Sequence, residues 1–188
     1  MGERGVKAAA AGTKRESPEV QLAAFIAKYT PAIGALAQAA LATLRARLPG
    51  AVELVYDNYN ALAIAFGATE RSADAIFSLA LYPRWVSLFF VHGASLPDPA
   101  KILKGSGTSI RHIVLDNPET LDTPAVQALM AQALARAAKP LDAAAPSRIV
   151  IKSIAAKQRP RRPAQHADRS AGGRRRRGTA GGRTKETP

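Results

Sequence analysis

Hydrophobic spacing divides the chain into helical segments at both ends and a strand-rich middle. A helix is predicted to begin near Pro18, and a second follows Thr30-Pro31, which supply a capping hydroxyl and a first-turn proline. Apolar residues then recur every three or four positions until Pro49-Gly50 ends the helix. A third helix with the same spacing is predicted after Thr123-Pro124. Helices therefore precede and follow the central part of the chain.

In the middle of the chain the hydrophobic period changes to two residues, which is typical of strands. Five short strands are predicted, at residues 52–56, 61–66, 75–81, 85–92 and 110–115. Residues 101–104 are predicted to form about one helical turn, which Gly105 would end. Short connections favour antiparallel pairing between neighbouring strands. We therefore expect an α+β fold, in which one antiparallel sheet of about five strands carries the N- and C-terminal helices on one face.

Charge is distributed unevenly along the chain, whose formal net charge is +13. Residues 20–152 hold twelve basic and nine acidic side chains, whereas residues 153–188 hold eleven basic and two acidic ones. The last apolar cluster, Ile149-Val150-Ile151, could dock on the domain, and beyond it large apolar residues almost disappear. We therefore expect a flexible N-terminal arm at 1–17, a folded domain at 18–152 and a disordered basic tail at 153–188.

The arginines of this tail are candidates for contacts with phosphates. The set comprises Arg161, Arg162, Arg174, Arg175, Arg176, Arg177 and Arg183. Arginine keeps its charge and pairs with two phosphate oxygens at once, so the tail predicts non-specific affinity for nucleic acid and other polyanions. No aromatic residue lies among these arginines, so the tail itself offers no base stacking. The alternative is a tail that only keeps the protein soluble.

Several classes of function are disfavoured by composition. The chain has no cysteine, which excludes disulfides, thiolate zinc sites and cysteine nucleophiles. It has neither a long apolar run nor a signal-peptide pattern, so we expect a cytoplasmic protein with no membrane partner. Its three histidines are far apart in sequence, and no Gly-x-Ser-x-Gly motif is present. These observations favour a non-enzymatic protein; they set no oligomeric state.

Residues from about 20 to 138 resemble the YdhG-like family, a bacterial group of uncharacterised domains. The motifs that carry the resemblance are, in order, Glu53-Leu54-Val55-Tyr56 with Asn58-Tyr59, Tyr82 to Phe90, His92 to Pro99, Leu103 to Gly107 and Arg111-His112-Ile113. The resemblance implies a frataxin-like α+β sandwich. It also implies a link to iron, because some relatives are described as intracellular iron chaperones. The family usually has lysine after its Gly-x-Gly, where this chain has Thr108.

Three functions follow as hypotheses. The first is a binding module for an unknown small ligand or protein. Its candidate ligand-binding residues are Tyr56, Asn58, Trp85, His92, Lys104 and Arg111. The second is a frataxin-like iron chaperone. It is disfavoured because frataxin-type binding relies on an acidic first helical region, whereas residues 20–49 contain no Asp or Glu to supply the oxygen ligands that iron prefers. The third is an enzyme of unknown reaction. We expect no cofactor, and we expect Trp85, beside Arg84, to remain partly exposed.

Overall fold

The structure, a computed structural model, describes residues 16–163. It contains three α-helices: α1 (Pro18–Ala27), α2 (Pro31–Arg47) and α3 (Pro124–Ala135). The predicted start of α2 is confirmed, since the Thr30 hydroxyl accepts a hydrogen bond from the Ile33 N–H. At the start of α3 the Thr123 hydroxyl instead donates to the Thr120 carbonyl. Nearly all of the expected N-terminal arm, and residues 164–188 of the expected tail, lie outside the described range.

The sheet has six strands: β1 (Val52–Asp57), β2 (Leu62–Gly67), β3 (Ala75–Leu81), β4 (Val86–Phe90), β5 (Arg111–Leu115) and β6 (Arg148–Ile154). Their order is β5-β4-β3-β2-β1-β6. The first five form the predicted antiparallel meander. β6 pairs parallel to β1, with a bulge between Val55 and Tyr56. The expectation of about five antiparallel strands is therefore corrected to a mixed sheet of six, because the last apolar cluster, Ile149 to Ile151, pairs as an edge strand.

Alternation along the strands divides the sheet into two different faces. On β1, Val55 is buried with the apolar residues of α1, α2 and α3 in the main core. Glu53, on the same side, receives two hydrogen bonds from Arg45 of α2, at 2.6 and 2.7 Å. The intervening residue Leu54 belongs to a second, smaller apolar cluster, which is formed by strand residues and Val91. The expected α+β arrangement is thus present, with the three helices contributing to one core.

Residues 101–104 do not form the predicted helical turn. The Asp98 carboxylate accepts the N–H groups of Ile102 and Leu103 at 3.2 and 2.8 Å, and Lys101 adopts a left-handed φ of 52°. The backbone of Lys104 then exchanges two hydrogen bonds with His112, at 2.8 and 2.9 Å. No helical turn forms because these backbone groups find partners in the Asp98 carboxylate and in β5 rather than within a helix.

The folded part of the chain continues beyond the expected boundary between residues 152 and 153. That boundary falls inside β6, and residues 155–163, here named the C-terminal segment, return along the β1–β2 turn. The Ala155 N–H donates to the Asp57 carbonyl at 2.8 Å, and the Arg159 N–H donates to the Tyr59 carbonyl at 2.9 Å. The C-terminal segment therefore packs against the domain instead of beginning a tail.

Candidate functional site

Asp57, the last residue of β1, holds the C-terminal segment in place. Its side chain is only 1% exposed and receives hydrogen bonds from Lys28 at 2.6 Å and from Arg161 at 2.7 Å. A buried carboxylate is costly unless it is paired and hydrogen-bonded, and these two cations meet that requirement. Arg161 also donates to the carbonyls of Asn58 and Tyr59. We name the pair of Asp57 and Arg161, with Lys28, the Asp57 anchor.

Two opposing effects set the ionisation of Asp57. Burial alone would raise the pKa of this carboxyl, but hydrogen bonds from Lys28, Gln158 and Arg161 outweigh burial and hold its pKa below the ordinary value of 3.8. The carboxylate therefore stays ionised and the anchor stays intact at neutral pH.

Tyr29 connects the Asp57 anchor to the sheet. Its hydroxyl donates to the Leu81 carbonyl and accepts from the Leu62 N–H, both at 2.9 Å, where β2 and β3 pair. The guanidinium of Arg161 lies over the Tyr29 ring, 5.7 Å from its centroid. Burial raises the pKa of Tyr29, so its hydroxyl remains protonated. The C-terminal segment, α1 and the end of β3 are thus fixed relative to one another.

Arg162 caps the end of α1. Its guanidinium donates to the carbonyls of Tyr29, Lys28 and Ala27, at 3.1, 3.3 and 3.3 Å. A cation suits this position because the carbonyls at the end of a helix carry partial negative charge.

The two described arginines of the predicted polyanion-binding set therefore differ from the expectation. Arg161 is 5% exposed and is committed to Asp57, so it cannot reach a polyanion. Arg162 is exposed, but its guanidinium is bonded to the end of α1. Arg174 to Arg177 and Arg183 lie outside the described residues.

An aromatic pair lies at the turn between β3 and β4. The Tyr82 N–H donates to the Trp85 carbonyl at 2.9 Å, which closes the turn. The two rings stack, with centroids 4.9 Å apart and planes inclined by 22°. Trp85 is nevertheless 43% exposed, in agreement with the expectation that it would remain partly exposed. This turn therefore presents a large aromatic surface to solvent.

The C-terminal segment forms the wall opposite this aromatic pair. The intervening space, here named the Trp85 groove, is an open groove at the protein surface. One wall is the turn of residues 82–85, and the other consists of Arg159, Pro160, Arg162 and Pro163, with Asn60 between them. The Asp57 anchor lies directly beneath the second wall, since it holds Arg161 between Pro160 and Arg162. The groove therefore exists because the C-terminal segment is seated on the domain.

The Trp85 groove is positively charged. Three arginines line it, Arg84, Arg159 and Arg162, and none of the described residues that line it is acidic. Arg159 makes one long hydrogen bond, at 3.4 Å, to the Asn60 side chain. Within residues 16–163, Arg84 makes no ion pair within 4.0 Å. Its guanidinium and that of Arg159 are therefore available for an anionic ligand.

The six predicted ligand-binding residues do not converge on one site. Trp85 and Asn58 lie at the end of the sheet that carries the groove, and Tyr56 lies with the second apolar cluster on the other face. The remaining three lie at the opposite end of the sheet, where Arg111 pairs with Phe90, Lys104 bridges to His112, and His92 follows the end of β4.

At that opposite end several polar groups are already occupied. Arg111 donates to the carbonyls of Gly107 and Ile110, at 2.5 and 2.8 Å. The His112 ring stacks on Phe89 with centroids 5.0 Å apart, and burial together with Lys104 lowers its pKa. A smaller pocket lies nearby, where the Asp74 carboxylate is paired with Lys139 at 2.9 Å. Arg111 and Asp74 are therefore less free to bind a ligand than Arg84 of the Trp85 groove.

Sequence reasoning missed Tyr82, Arg84 and Arg159 as site residues. The motif Tyr82-Pro83-Arg84-Trp85 contained a usable signal, because a tight turn places its first and last side chains together. No local pattern indicated Arg159, which reaches the groove because its N–H bonds to Tyr59 and Arg161 pairs with Asp57, a residue 104 positions earlier.

No family model, no curated protein and no solved structure matches this chain. In the described part of the chain, no helix is long and apolar enough to cross a membrane. Over the same 148 positions from 16 to 163, no three His, Asp or Glu side chains gather as they would around a metal ion. The geometry of the Trp85 groove is thus the strongest observation bearing on function.

Proposed function

We propose that the protein is a non-enzymatic nucleic-acid-binding module, which contacts the phosphate backbone through the Trp85 groove and the basic sequence that follows it. One observation carries the proposal. The Asp57 anchor seats the C-terminal segment so that Pro163, its last residue, lines a groove that also contains three arginines. The sequence after Pro163 adds seven basic and two acidic residues. The positive charge of the groove and that of the following sequence are therefore adjacent along the chain.

Phosphates are the chemistry that these groups favour. Arginine keeps its charge at every physiological pH, and its planar guanidinium pairs with two phosphate oxygens. Arg84 and Arg159 supply two such groups from the folded domain, and Arg174 to Arg177 supply four from the following sequence. Such contacts position a nucleic acid without reading its bases, so the binding is independent of sequence.

The resemblance to the YdhG-like family forms part of the same proposal. Its support is the order of motifs in the sequence, together with the order of helices, antiparallel meander and helix in the fold. We propose accordingly a frataxin-like arrangement in a cytoplasmic bacterial protein. Iron is not its proposed ligand, because α1 and α2 contain a single acidic residue, Glu19, and iron prefers several oxygen ligands.

Fluorescence anisotropy of a labelled duplex across a salt series tests the function. Contacts with roughly 6–9 phosphates predict a slope of log affinity on log salt of about −5 to −8 for the full-length protein. Replacing Arg174 to Arg177 by alanine should reduce the slope by roughly 3 to 4. A protein ending at Pro163 should retain weak binding, because Arg84 and Arg159 remain.

The matched control is Arg136→Ala, which removes an exposed arginine far from the groove, where it donates to the Ser95 carbonyl. It should leave the salt slope unchanged. If none of these proteins binds duplex or single-stranded DNA at low salt, the nucleic-acid function is wrong. If the protein ending at Pro163 loses all binding, the groove takes no part and only the later sequence contacts phosphate.

A further inference from the structure

We propose that the Trp85 groove is a stacking site for an unpaired base, and that the protein therefore prefers single-stranded nucleic acid to duplex. This inference rests on the proposed nucleic-acid function and names the substrate class of the same site. It concerns the aromatic pair, which phosphate binding alone does not require.

The first argument is the geometry of the aromatic pair. Tyr82 stacks on Trp85 at 4.9 Å between centroids, and the turn that carries both is closed by a backbone hydrogen bond. Trp85 is held in this way and still 43% exposed, so part of the indole faces solvent in a fixed orientation. A rigid, exposed aromatic ring can take a base on its free surface at little entropic cost.

The second argument is the charge around that ring. Arg84 precedes Trp85 in the turn, and Arg159 lies on the opposite wall. An aromatic platform flanked by cations is the combination that binds single strands, because bases stack while the phosphates follow the basic groove. In a duplex the faces of the bases are already stacked on one another, so only the cations would contribute. The groove therefore gains a contact only from an unpaired strand.

The charge also decides between possible occupants. A second copy of the chain would bring another groove with the same three arginines, and like charges would oppose the contact. An acidic peptide would pair with Arg84 and Arg159 but would leave the indole without a matching planar surface. Single-stranded nucleic acid satisfies both the cations and the ring.

Trp85 is the only tryptophan of the chain, so its fluorescence reports on this site alone. The full-length protein is titrated with an oligothymidylate of about 15 nucleotides, a length within the range that single-strand sites cover. Parallel titrations use a blunt duplex of the same length, inorganic polyphosphate and poly-glutamate. We expect saturable quenching with the oligothymidylate and little change with the other three, while anisotropy competition shows that duplex and polyphosphate still bind.

Substitutions then separate stacking from charge. Trp85→Leu should weaken oligothymidylate binding by about 5- to 150-fold, as expected for losing one stacked base, and should reduce duplex affinity far less. Trp85→Phe should recover part of the loss. The matched control is Tyr59→Leu, because the Tyr59 side chain is similarly exposed, at 46%, but does not line the groove. Equal thermal midpoints for the variants would show that the loss is not one of folding.

The outcomes distinguish this inference from the function on which it rests. If Trp85→Leu binds the oligothymidylate as tightly as the unchanged protein, or if binding occurs without any change in Trp85 fluorescence, stacking is wrong and phosphate binding stands. If poly-glutamate quenches Trp85 as strongly as the oligothymidylate, the groove is a site for acidic peptide instead. If neither nucleic acid binds at low salt, both proposals fail.

Discussion

The two ends of the sheet carry similar residues and differ in how far those residues are already occupied. At one end, the Arg111 guanidinium is bonded to two carbonyls, and the Asp74 carboxylate of the nearby pocket is paired with Lys139. At the other end, Arg84 and Arg159 line an open groove beside an exposed tryptophan. A cation contributes to ligand binding only where the fold has not already supplied its partners. The second wall of the groove, the C-terminal segment, is held in place by the buried ion pair of Asp57 and Arg161.

The largest effect should come from Asp57→Asn. The substitution leaves Arg161 buried without its counter-charge, which typically costs about 3–5 kcal/mol of stability. For a domain of this size that corresponds to a fall of the melting midpoint of roughly 6–20 °C, measurable by calorimetry or urea unfolding. Glu70→Gln is the control, because it removes a surface pair with Arg148 in which both side chains are about half exposed. An equal, small change in both variants would show that the anchor does not stabilise the domain.

Shortening the chain at two positions should have different effects. The sequence alone predicts that a protein ending near Ser153 keeps its melting midpoint within a few degrees. The structure revises this expectation, because that protein lacks Arg161 and Arg162 and leaves Asp57 with Lys28 alone. We expect it to lose about 2 kcal/mol or more relative to a protein ending at Pro163, as for other broken buried networks. Equal melting midpoints for the two proteins would show that residues 154–163 do not stabilise the domain and that the boundary expected from the sequence is correct.

Acid should release the C-terminal segment. The pKa of Asp57 is lower in the folded protein than its ordinary value of 3.8, so its ion pairs stabilise the fold fully above about pH 4. That stabilisation should be lost as pH falls below this value, through the folded-state pKa. Urea unfolding at several pH values between neutrality and acid would measure it. The loss should be smaller in Asp57→Asn, which has no carboxylate to protonate; the same loss in both proteins would assign it to other acids.

The smallest expected effect is a difference in nucleic-acid affinity between substitutions at the two ends of the sheet. Arg84→Ala should reduce the salt slope of duplex binding by about one unit and leave the melting midpoint unchanged. Arg111→Ala should leave the salt slope unchanged and lower the melting midpoint, because its guanidinium holds the 107–110 loop rather than facing a groove. Salt-series anisotropy and thermal unfolding of both variants provide the comparison. A similar reduction of the salt slope in Arg111→Ala would place a second phosphate site at the end of the sheet that carries His92 and Arg111.

Local patterns predicted most of the fold. Thr30-Pro31 marked the start of α2, and alternation with short turns predicted the meander from β1 to β5, because both signals lie within a few neighbouring residues. β6 was missed because a parallel edge strand pairs with a distant part of the chain and its three apolar residues do not specify a partner. The helical turn predicted before Gly105 was wrong because the backbone of Lys104 pairs with β5.

The candidate site could be predicted only in part. Trp85 beside Arg84 was a local signal, and its exposure follows from its position in a four-residue turn. The role of Arg161 could not be predicted from a run of basic residues, because its burial depends on the position of Asp57 in three dimensions. In sequence, Arg161 resembles the other arginines of the predicted set; only the fold shows that its role is structural.

The separation of 104 residues between Asp57 and Arg161 also has a consequence during protein synthesis. Hairpins β1–β2 and β3–β4 are formed by neighbouring residues, so they can assemble while the rest of the chain is still being translated. The Asp57 carboxylate can then pair with Lys28, but its second partner, Arg161, leaves the ribosome only near the end of the domain. The groove is completed in the same step that completes the fold. A nascent chain therefore acquires its second basic wall only when nearly all of the domain has been made.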